Sequence, residues 1–405
     1  MPKSVQERRA TVKDVTVSRP SNTDVVVVGG GIGGLSCAYA LAREGYSVRL
    51  LERADEFGEV GAGLQLAPNA TRILRDWDLL DEVIAAGVLP RRLMLRDGLT
   101  DEPLIHADLT DRFHARYGVP YVVVHRSDLH RILLEACRRV GVSLETKTAV
   151  EKVDNLRADG ALTYCAEGRC YESSVTLAAD GLSSTLRPQV VADEEVFSGL
   201  VAYRGTIPIR DIPPADVVGW IGPGCDFVEY ALRGGEVLNL VATFVSPGYA
   251  RGDVDWGGVD ELDAAFAGFC GHVREALGWL WRDRRWLLCD RLPADSWVAG
   301  RLALVGDAAH PMMQYLAQGA CQAMEDAHEL AAQATAHTVD GATDWDLTLA
   351  SYQRARIPRA SRLQRMSRIW CESWHLDGAA AIVRNELFRT VDDPYHYADS
   401  IYGPK

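Results

Sequence analysis

The stretch DVVVVGGGIGGLSCAYALAREGYSVRLLE, residues 24–52, decides the fold of this chain. Its first residues form an apolar run that is typical of a strand buried on both faces. A glycine-rich turn over 29–34, a helical pattern over 35–44 and a second buried strand over 48–51 follow in that order. This succession of elements predicts the first unit of a doubly wound parallel sheet.

The glycine-rich turn matches the pattern G-x-G-x-x-G between a strand and a helix. Gly29 allows the tight turn, Gly31 lets the backbone approach a pyrophosphate, and Gly34 lets the helix pack closely on the strand. The helix N-terminus adds N–H donors and a partial positive charge. Glu52 ends the second strand, where a carboxylate can accept hydrogen bonds from ribose hydroxyls. The unit predicts dinucleotide binding; a tight glycine turn in an ordinary α/β unit is the alternative.

The composition limits the function classes that are open to the chain. The net charge of −13 argues against nucleic-acid binding, which needs a basic surface. No segment reaches the roughly 18 consecutive apolar residues of a membrane span, and residues 1–18 lack the apolar core of a signal peptide. We therefore expect a cytoplasmic protein with no membrane association. The nine cysteines are scattered and include no C-x-x-C pair, which predicts reduced thiols.

Periodicity predicts the elements of the remaining chain. Between about 200 and 245, alternating residues with Gly and Pro turns predict a mostly antiparallel sheet. Ser127 or Asp128 is the predicted N-cap of a helix, and Pro358 is a predicted kink site in the last long helix. Apolar and helical periods further predict strands at 175–179 and 302–305, and helices at 129–140, 317–334 and 346–374.

Two later segments carry a specific resemblance. Residues 180–187 read DGLSSTLR, which matches D-G-x-x-S-x-x-R, and residues 306–311 read GDAAHP directly after a predicted strand. With the glycine-rich turn, they resemble the three signatures of single-component FAD-dependent aromatic hydroxylases of the para-hydroxybenzoate hydroxylase type. Three further stretches are most similar to 3-hydroxybenzoate 6-hydroxylases and salicylate hydroxylase-like enzymes: GAGLQLAPNA at 61–70, HRSDL at 125–129 and QYLAQG at 314–319.

The resemblance implies an α/β fold in which a doubly wound, Rossmann-like FAD domain is interleaved with a mostly antiparallel substrate domain and followed by a C-terminal helix. The implied segments are a flexible start at 1–22, the FAD domain at 23–90, 123–195 and 290–345, the substrate domain at 91–122 and 196–289, and the helix and tail at 346–405. The implied enzyme is a monooxygenase that uses FAD, NADH or NADPH, and O₂. It would hydroxylate an amino- or hydroxy-substituted benzoate or a phenol through a flavin C4a-hydroperoxide, as a homodimer.

The resemblance also implies the residues that bind the cofactor: Gly29, Gly31, Gly34, Glu52, Arg53, Arg126, Asp180, Gly181, Arg187, Gly306, Asp307, Pro311, Gln318 and Gly319.

Several members of this set have an implied role. Asp307 would accept a hydrogen bond from a ribityl hydroxyl, and Arg126 would lie near the pyrophosphate, because a guanidinium suits phosphate oxygens. Pro311 would lie against the flavin ring. The helix that begins at Gln318 and Gly319 would favour negative charge on reduced flavin. The segment from Asp180 to Arg187 would handle both nucleotides, with a structural salt bridge as the alternative role.

The positions that match the family's substrate pocket are Gln65, Tyr121, Asp226, Tyr230 and Gln314. Of these, Gln314, Tyr230 and Asp226 are the candidate catalytic residues, because polar tips on packed side chains orient a flat aromatic acid. The resemblance suggests that 3-hydroxybenzoate 6-hydroxylases have histidine at the position of Asp226. A carboxylate is a weaker base than an imidazole. We therefore interpret Asp226 as an acceptor for an amino group or a second hydroxyl on the ring.

Other interpretations differ in function class. A flavin-dependent oxidase or dehydrogenase and a non-enzymatic FAD-binding protein are alternatives on the sequence alone. The segments Glu325-x-x-His328 and Glu372-x-x-His375 match half of a di-iron site, but the pattern lacks a four-helix bundle, and we expect no metal. We interpret the arginines of the last long helix as a solvated face or a subunit contact. These are Arg354, Arg356, Arg359, Arg362, Arg365 and Arg368.

Overall fold

The computed structural model describes residues 23–58, 61–156, 160–166, 168–209 and 216–403. The flexible start predicted at 1–22 lies outside the described residues, as do the last two residues of the tail.

The strands, in chain order, are β1 (Thr23–Val28), β2 (Val48–Leu51), β3 (Gly63–Leu66), β4 (Arg92–Asp97), β5 (Pro103–Asp108), β6 (Val122–His125), β7 (Ser143–Glu145), β8 (Val150–Leu156), β9 (Gly160–Cys165), β10 (Cys170–Ala178), β11 (Val196–Pro208), β12 (Asp216–Gly222), β13 (Cys225–Leu232), β14 (Val237–Val245), β15 (Trp286–Asp290), β16 (Val298–Ala299), β17 (Leu302–Leu304), β18 (Thr338–Val339) and β19 (Ala342–Thr343).

The α-helices are α1 (Ile32–Arg43), α2 (Pro68–Asp76), α3 (Leu80–Ala86), α4 (Asp111–Tyr117), α5 (Arg126–Arg139), α6 (Pro247–Arg251), α7 (Val259–Ala265), α8 (Gly271–Ala276), α9 (Gly319–Ala336), α10 (Trp345–Trp374), α11 (Gly378–Arg389) and α12 (His396–Tyr402).

The first large sheet has the strand order β16-β17-β10-β1-β2-β7. β1 pairs in parallel with β2 and with β10, and β10 pairs in parallel with β17. The valines of β1 lie in the core, as expected for a central strand that is covered on both faces. α1 packs against α5 and α9. The parallel core confirms the α/β class that the opening stretch predicts.

The second large sheet has the order β15-β11-β14-β13-β12-β4-β5. It is antiparallel except for β12 and β4, which pair in parallel. Phe227 and Phe244 pack on one of its faces with Leu262 of α7. Successive side chains of a strand face opposite sides, so Asp226 and Tyr230 lie on the other face. That second face forms one wall of the candidate site.

The two sheets draw on interleaved parts of the chain. The parallel strands come from the segments assigned to the FAD domain. β4, β5 and β11 to β14 come from the segments assigned to the substrate domain. We propose the division of the chain at the stated boundaries on this basis.

The start of α5 differs from the prediction. The helix begins at Arg126, and His125 is its N-cap, with Nδ1 accepting a hydrogen bond from the backbone N–H of Ser127 at 3.3 Å. The prediction that Ser127 or Asp128 caps this helix is therefore wrong. β6 ends at His125 and passes directly into the helix, so the cap is the last residue of the strand. A neutral imidazole supplies the acceptor that Ser or Asp would otherwise supply.

The two long helices follow the prediction with small shifts. α9 begins two residues later than predicted, at Gly319, because Ala317 has a left-handed backbone with φ of 52°. α10 continues through Pro358. Asp344 caps its start by accepting a hydrogen bond from the backbone N–H of Leu347 at 3.0 Å.

The arginines of α10 face two different environments. Arg356 is buried and donates to Glu325 at 2.6 Å and to Asp326 at 2.7 Å, both in α9. Arg359 and Arg368 also pair with buried carboxylates. The interpretation of a solvated face or subunit contact is wrong for these three, because α9 presents acidic side chains to Arg356 and Arg359, and Asp290 at the end of β15 pairs with Arg368. The remaining members of the series are exposed: Arg354, Arg362 and Arg365.

Candidate active site

The loops that follow four parallel strands meet at one edge of the first sheet. The glycine-rich turn follows β1, Glu52 follows β2, Asp180 follows β10 by two residues, and Gly306 follows β17 by two residues. Parallel strands place their carboxyl ends at the same edge, and nucleotides bind there in doubly wound sheets. The fold therefore brings all three sequence motifs together.

The glycine-rich turn is packed so closely that it excludes side chains. Gly29 has φ of 106°, and a Cβ atom on it would overlap the carbonyl of Ala179. A Cβ atom on Gly34 would overlap the carbonyl oxygen of Gly29. Gly31 is the N-cap of α1, so the open N-terminus of the helix starts inside the turn. This is the geometry that close approach of a pyrophosphate requires.

Glu52 is fixed at the end of β2 by backbone donors. Its Oε2 accepts a hydrogen bond from Gly30 N at 2.7 Å, and its Oε1 accepts one from Ala54 N at 2.8 Å. Arg53 is exposed beside it. Arg126 begins α5, and a Cβ atom on Gly61 would lie 2.7 Å from its Cβ, so the stretch at 61–63 runs directly against this arginine. The residues expected at the dinucleotide are therefore held at the ends of β1 and β2 and at the start of α5.

The segment after β10 contains both an unpartnered acceptor and a structural clamp. Oδ2 of Asp180 accepts a hydrogen bond from Thr185 N at 2.9 Å, whereas Oδ1 is buried and has no hydrogen-bond partner. Gly181 is left-handed, with φ of 85°. Arg187 is fully buried and donates to both carboxylate oxygens of Asp193, at 2.8 and 2.7 Å. It also donates to the carbonyls of Ala308 and Ala309, at 2.7 and 2.8 Å, so these contacts favour the structural role for Arg187.

Asp326 of α9 holds the loop that follows β17. Gly306 N and His310 Nε2 both hydrogen-bond to Oδ2 of Asp326, at 2.9 and 2.6 Å. Asp307 is exposed between buried neighbours, and its Oδ1 would lie 3.8 Å from a Cβ atom on Gly319. The Asp307 carboxylate therefore lies near the start of α9. The carbonyl of Pro311, the next residue after this loop, accepts a hydrogen bond from the Gln364 amide at 2.9 Å.

The start of α9 presents a second unpartnered polar atom. Gln318 is the N-cap of α9, and its Oε1 accepts hydrogen bonds from Asn69 at 2.9 Å and from Gln322 at 3.1 Å. Its Nε2 is buried and has no hydrogen-bond partner. An unpartnered donor at a helix N-terminus, the unpartnered Asp180 Oδ1 and the side-chain-free glycine turn all fit FAD. The chain's residues thus offer acceptors for ribose hydroxyls and donors for a flavin carbonyl edge.

The face of the second sheet that carries Asp226 and Tyr230 is the candidate substrate wall. It contacts the two-stranded sheet of β3 and β6. Gly63 N of β3 donates to Asn239 Oδ1 of β14 at 2.8 Å, and a Cβ atom on Gly63 would overlap the ring of Tyr230. The Tyr121 hydroxyl donates to Gln65 Oε1 at 2.7 Å. Burial raises the pKa of both Tyr121 and Tyr230 above the usual value, so both phenols stay neutral and can donate.

Gln314 connects the cofactor side with the substrate sheet. Its Nε2 donates to Thr243 Oγ1 at 3.0 Å, and its Oε1 accepts from Arg204 Nη2 at 3.5 Å. The guanidinium of Arg204 lies 5.2 Å from the centre of the Trp286 ring. Burial lowers the pKa of Arg204, and its Nε has no hydrogen-bond partner. In the described part of the chain, no carboxylate lies within salt-bridge distance of this cation.

The sequence did not single out Arg204 and Asn239. Both lie on the face of the second sheet that also carries Tyr230, and Asn239 Nδ2 is a further buried donor without a partner. Alternation of apolar and polar residues along β11 and β14 is the sequence signal that marks these positions as inward-facing polar residues. Two unsatisfied donors on one wall indicate a ligand with acceptor atoms.

Asp226 also has partners that the sequence did not predict. His375 Nε2 lies 2.7 Å from Asp226 Oδ1, and the Tyr315 hydroxyl lies 3.0 Å from the same atom. On the sequence alone, His375 belongs only to a di-iron-like pattern. Glu325, from the other such pattern, is held by Arg356 and Arg359. Within the described residues, no group of three or more His, Cys, Asp or Glu side chains could hold a metal ion.

The C-terminal segment packs beside Tyr121. The ring of Tyr402 in α12 lies 6.2 Å from the ring of Tyr121. Arg72 donates to the carbonyl of Tyr402 at 3.2 Å, and Arg359 donates to the carbonyl of Ile401 at 2.8 Å.

In the described part of the chain, no helix is both long and apolar enough to span a bilayer.

Known proteins are similar to this chain over most of its length. A family model described as an FAD binding domain matches residues 22–218 and 282–367. The 3-hydroxybenzoate 6-hydroxylase 1 of Aquipseudomonas alcaligenes is 38% identical over 394 residues, which are 94% of this chain and 98% of the relative. The 3-amino-4-hydroxybenzoate 2-monooxygenase of Streptomyces cremeus is 35% identical over 384 residues, 94% of each chain.

Solved structures show the same fold. Klebsiella pneumoniae HpxO, in complex with FAD and uric acid, superposes with a TM-score of 0.80 at 26% identity, covering 91% of this chain and 93% of HpxO. A salicylate hydroxylase substrate complex gives a TM-score of 0.76 at 21% identity, covering 95% of this chain and 96% of the other. The matched family model, the full-length relatives and the shared architecture lead to one conclusion. The chain belongs to the family of FAD-dependent aromatic hydroxylases.

Proposed function

We propose that the substrate of this enzyme is a benzoate that carries a hydroxyl group and a second hydrogen-bond donor, an amino group or another hydroxyl. NADH or NADPH is the proposed reductant, and O₂ supplies the oxygen atom. The observation that carries the proposal is the half-buried guanidinium of Arg204 on the substrate wall, which has a buried Nε without a partner and no carboxylate partner among the described residues. A buried charge without a partner is costly, so the site favours an anionic ligand.

Arg204 and Asn239 are the proposed anchor for the ring carboxylate. Arg204 of β11 lies opposite Val241 of β14. Asn239 precedes Val241 by two residues, so its side chain lies on the same face of the sheet as that of Val241. Side chains related in this diagonal way reach the same space above a sheet. The unpartnered Arg204 Nε and Asn239 Nδ2 would then each donate to a carboxylate oxygen. A charge-assisted hydrogen bond of this kind fixes both the position and the rotation of the ring.

Tyr230 and Gln314 are the proposed orienting groups for the reacting ring. When bound, FAD takes reducing equivalents from the nicotinamide and delivers activated oxygen to the substrate. The chain's own tasks are to hold the ring, to donate or accept at its hydroxyl, and to exclude water. Tyr230 is a buried phenol that can donate, and the buried hydroxyl of Tyr121 donates to Gln65. In this proposal, Gln314 contacts the edge of the substrate ring that faces the loop after β17.

Asp226 is the proposed acceptor for the second donor on the ring. Relatives of this chain are named for 3-hydroxybenzoate and for 3-amino-4-hydroxybenzoate, and the second compound carries a ring amino group. A carboxylate that is buried on the substrate wall suits an N–H or O–H donor. This favours an amino-hydroxy or dihydroxy benzoate over 3-hydroxybenzoate.

We also propose that the enzyme is a homodimer. Apolar side chains of α10 and α11 are exposed in the single chain: Ile369, Ile382, Val383 and Leu387. A group of exposed apolar residues of this kind indicates a protein contact. Light scattering on the FAD-loaded protein gives its mass in solution, and a monomer at all concentrations would contradict the proposal.

The proposed substrate class is tested with a set of hydroxy- and aminobenzoates and their uncharged amides. NAD(P)H oxidation, O₂ uptake and product identity are measured for wild type, Arg204→Gln and Arg204→Lys. We expect stimulation by the acids alone, and loss of the acid preference in Arg204→Gln with partial retention in Arg204→Lys. Equal stimulation by acids and amides in wild type contradicts the carboxylate anchor. NAD(P)H oxidation with no hydroxylated product indicates an oxidase, and no NAD(P)H oxidation at all indicates a non-enzymatic FAD protein.

A further inference from the structure

Asp226 is held by two side chains that come from outside its own sheet. It is 1% exposed, and both His375 Nε2, at 2.7 Å, and the Tyr315 hydroxyl, at 3.0 Å, reach its Oδ1. The Tyr315 hydroxyl donates to Oδ1, and we assign Nε2 of His375 as the second donor to this atom. In the described part of the chain, all hydrogen bonds to this side chain end on Oδ1. Oδ2 is therefore left for a further donor.

His375 is itself fixed by the end of α10. Its backbone carbonyl accepts a hydrogen bond from Gly224 N, in the turn between β12 and β13, at 3.1 Å. Arg384 of α11 donates to the carbonyl of Trp374 at 2.7 Å and so closes the last turn of the helix. The side chain and the main chain of His375 thus both attach to the start of β13. The position of Asp226 depends on where α10 ends.

This cluster adjoins the candidate catalytic residues. Thr243 is the strand neighbour of Asp226, and Gln314 donates to the Thr243 hydroxyl at 3.0 Å. Tyr315 follows Gln314 directly in the chain. The group that holds Asp226 and the group that orients the ring are therefore parts of one continuous wall.

We propose that His375 is a positioning residue that determines substrate specificity. It fixes Oδ1 of Asp226, so that Oδ2 accepts a hydrogen bond from an amino or hydroxyl group on the aromatic ring. This inference rests on the proposed function, because it requires a substituted benzoate in the pocket. Tyr315 assists His375, and its hydroxyl lies 3.4 Å from His375 Nε2.

A matched pair of ligands tests the proposal on the FAD-loaded protein. 3-Amino-4-hydroxybenzoate and 4-hydroxybenzoate differ only by the amino group. Binding is followed by the change in flavin absorbance and turnover by kcat and KM, for wild type, His375→Ala, His375→Gln and Asp226→Asn. Exposed His114 provides the control variant His114→Ala. Each histidine variant is also combined with Asp226→Asn.

Wild type should prefer the amino compound, and His375→Ala should lower that preference by about tenfold to a hundredfold, the range for a hydrogen bond to a charged group. His375→Gln, whose amide still donates, should retain part of the preference, and His114→Ala should retain all of it. In the Asp226→Asn background, His375→Ala should change the preference no further.

Two kinds of result overturn the inference. One is an equal loss for both compounds in His375→Ala, which would show a purely structural histidine. The other is a wild-type enzyme that binds the two compounds equally or binds neither. If wild type binds them with the expected preference, and His375→Ala removes it, but neither compound is hydroxylated, the proposed function fails while the inference stands.

Discussion

Nη2 of Arg204 lies 3.5 Å from Oε1 of Gln314. This contact joins β11 of the second sheet to the turn before α9. Gln314 also donates to Thr243 at 3.0 Å, so its amide is held at both ends. One side chain therefore links the proposed carboxylate anchor to the turn before α9. We propose that this amide couples the position of the ring to the position of the cofactor.

Gln314→Ala should leave FAD bound and reduce productive hydroxylation. The variant removes the group that orients the ring, so activated oxygen is lost to solvent as H₂O₂ more often. The ratio of hydroxylated product to NAD(P)H consumed measures this coupling. If that ratio stays at the wild-type level, Gln314 has only a structural role.

Gly34→Ala should abolish retention of FAD, whereas Gly33→Ala should retain it. A Cβ atom on Gly34 would overlap the Gly29 carbonyl oxygen, while one on Gly33 would meet only Ala323 Cβ at 3.5 Å, an ordinary contact. The two variants are neighbours in one helix and add the same methyl group. FAD released from the purified proteins by denaturation is quantified. A Gly34→Ala protein with full FAD content would contradict the assignment of the turn.

Arg356→Ala should destabilise the fold by about 3–5 kcal/mol, the range for a buried ion pair that loses one partner. The substitution leaves Glu325 and Asp326 buried without this guanidinium. The exposed arginine Arg362 is the control, and Arg362→Ala should change stability by less than about 0.5 kcal/mol. Urea unfolding compares the two. Similar small effects would show that Arg356 is not the main counter-charge.

Acid should remove part of the stability through Glu325. Burial alone raises the pKa of this carboxyl, but hydrogen bonds from Arg359 and the charges of Arg356 and Arg359 outweigh it and lower the pKa to about 2. A pKa below the unfolded value means that the stabilisation is complete above the ordinary pKa of 4.5 and is lost as pH falls towards about 2. Wild type should therefore lose more free energy of unfolding across this window than Glu325→Gln. Parallel losses in both proteins would exclude Glu325 as a source of the acid sensitivity.

Local sequence was sufficient for the cofactor half of the molecule. The apolar run of β1, the glycines from Gly29 to Gly34 and the acidic end of β2 are adjacent in the chain, and their packing requires these residue types. The α/β class and the edge where the motifs meet follow from that local information. Backbone geometry determines which residue types such a turn can contain, so the turn can be recognised from the sequence without knowledge of the partner strands.

The substrate half could be predicted only in part. Asp226 and His375 come from a strand and a helix end that are far apart in the chain, and no periodicity links them. The arginines of α10 repeat at helical spacing, which is equally compatible with water and with the acidic side chains of α9. Arg204 became significant only through the absence of a carboxylate partner among the described residues. Such pairings depend on how the sheets and helices pack together.

The most direct test of the central claim is a turnover under ¹⁸O₂. Purified protein loaded with FAD is mixed with NADH or NADPH and with an amino-hydroxybenzoate, and the product is examined by mass spectrometry. An FAD-dependent hydroxylase transfers one atom of O₂ to the ring. The account predicts a ring-hydroxylated product that carries one ¹⁸O atom, in amounts that follow NAD(P)H consumption. Consumption of NAD(P)H with H₂O₂ as the sole oxygen product, for every aromatic acid offered, would contradict it.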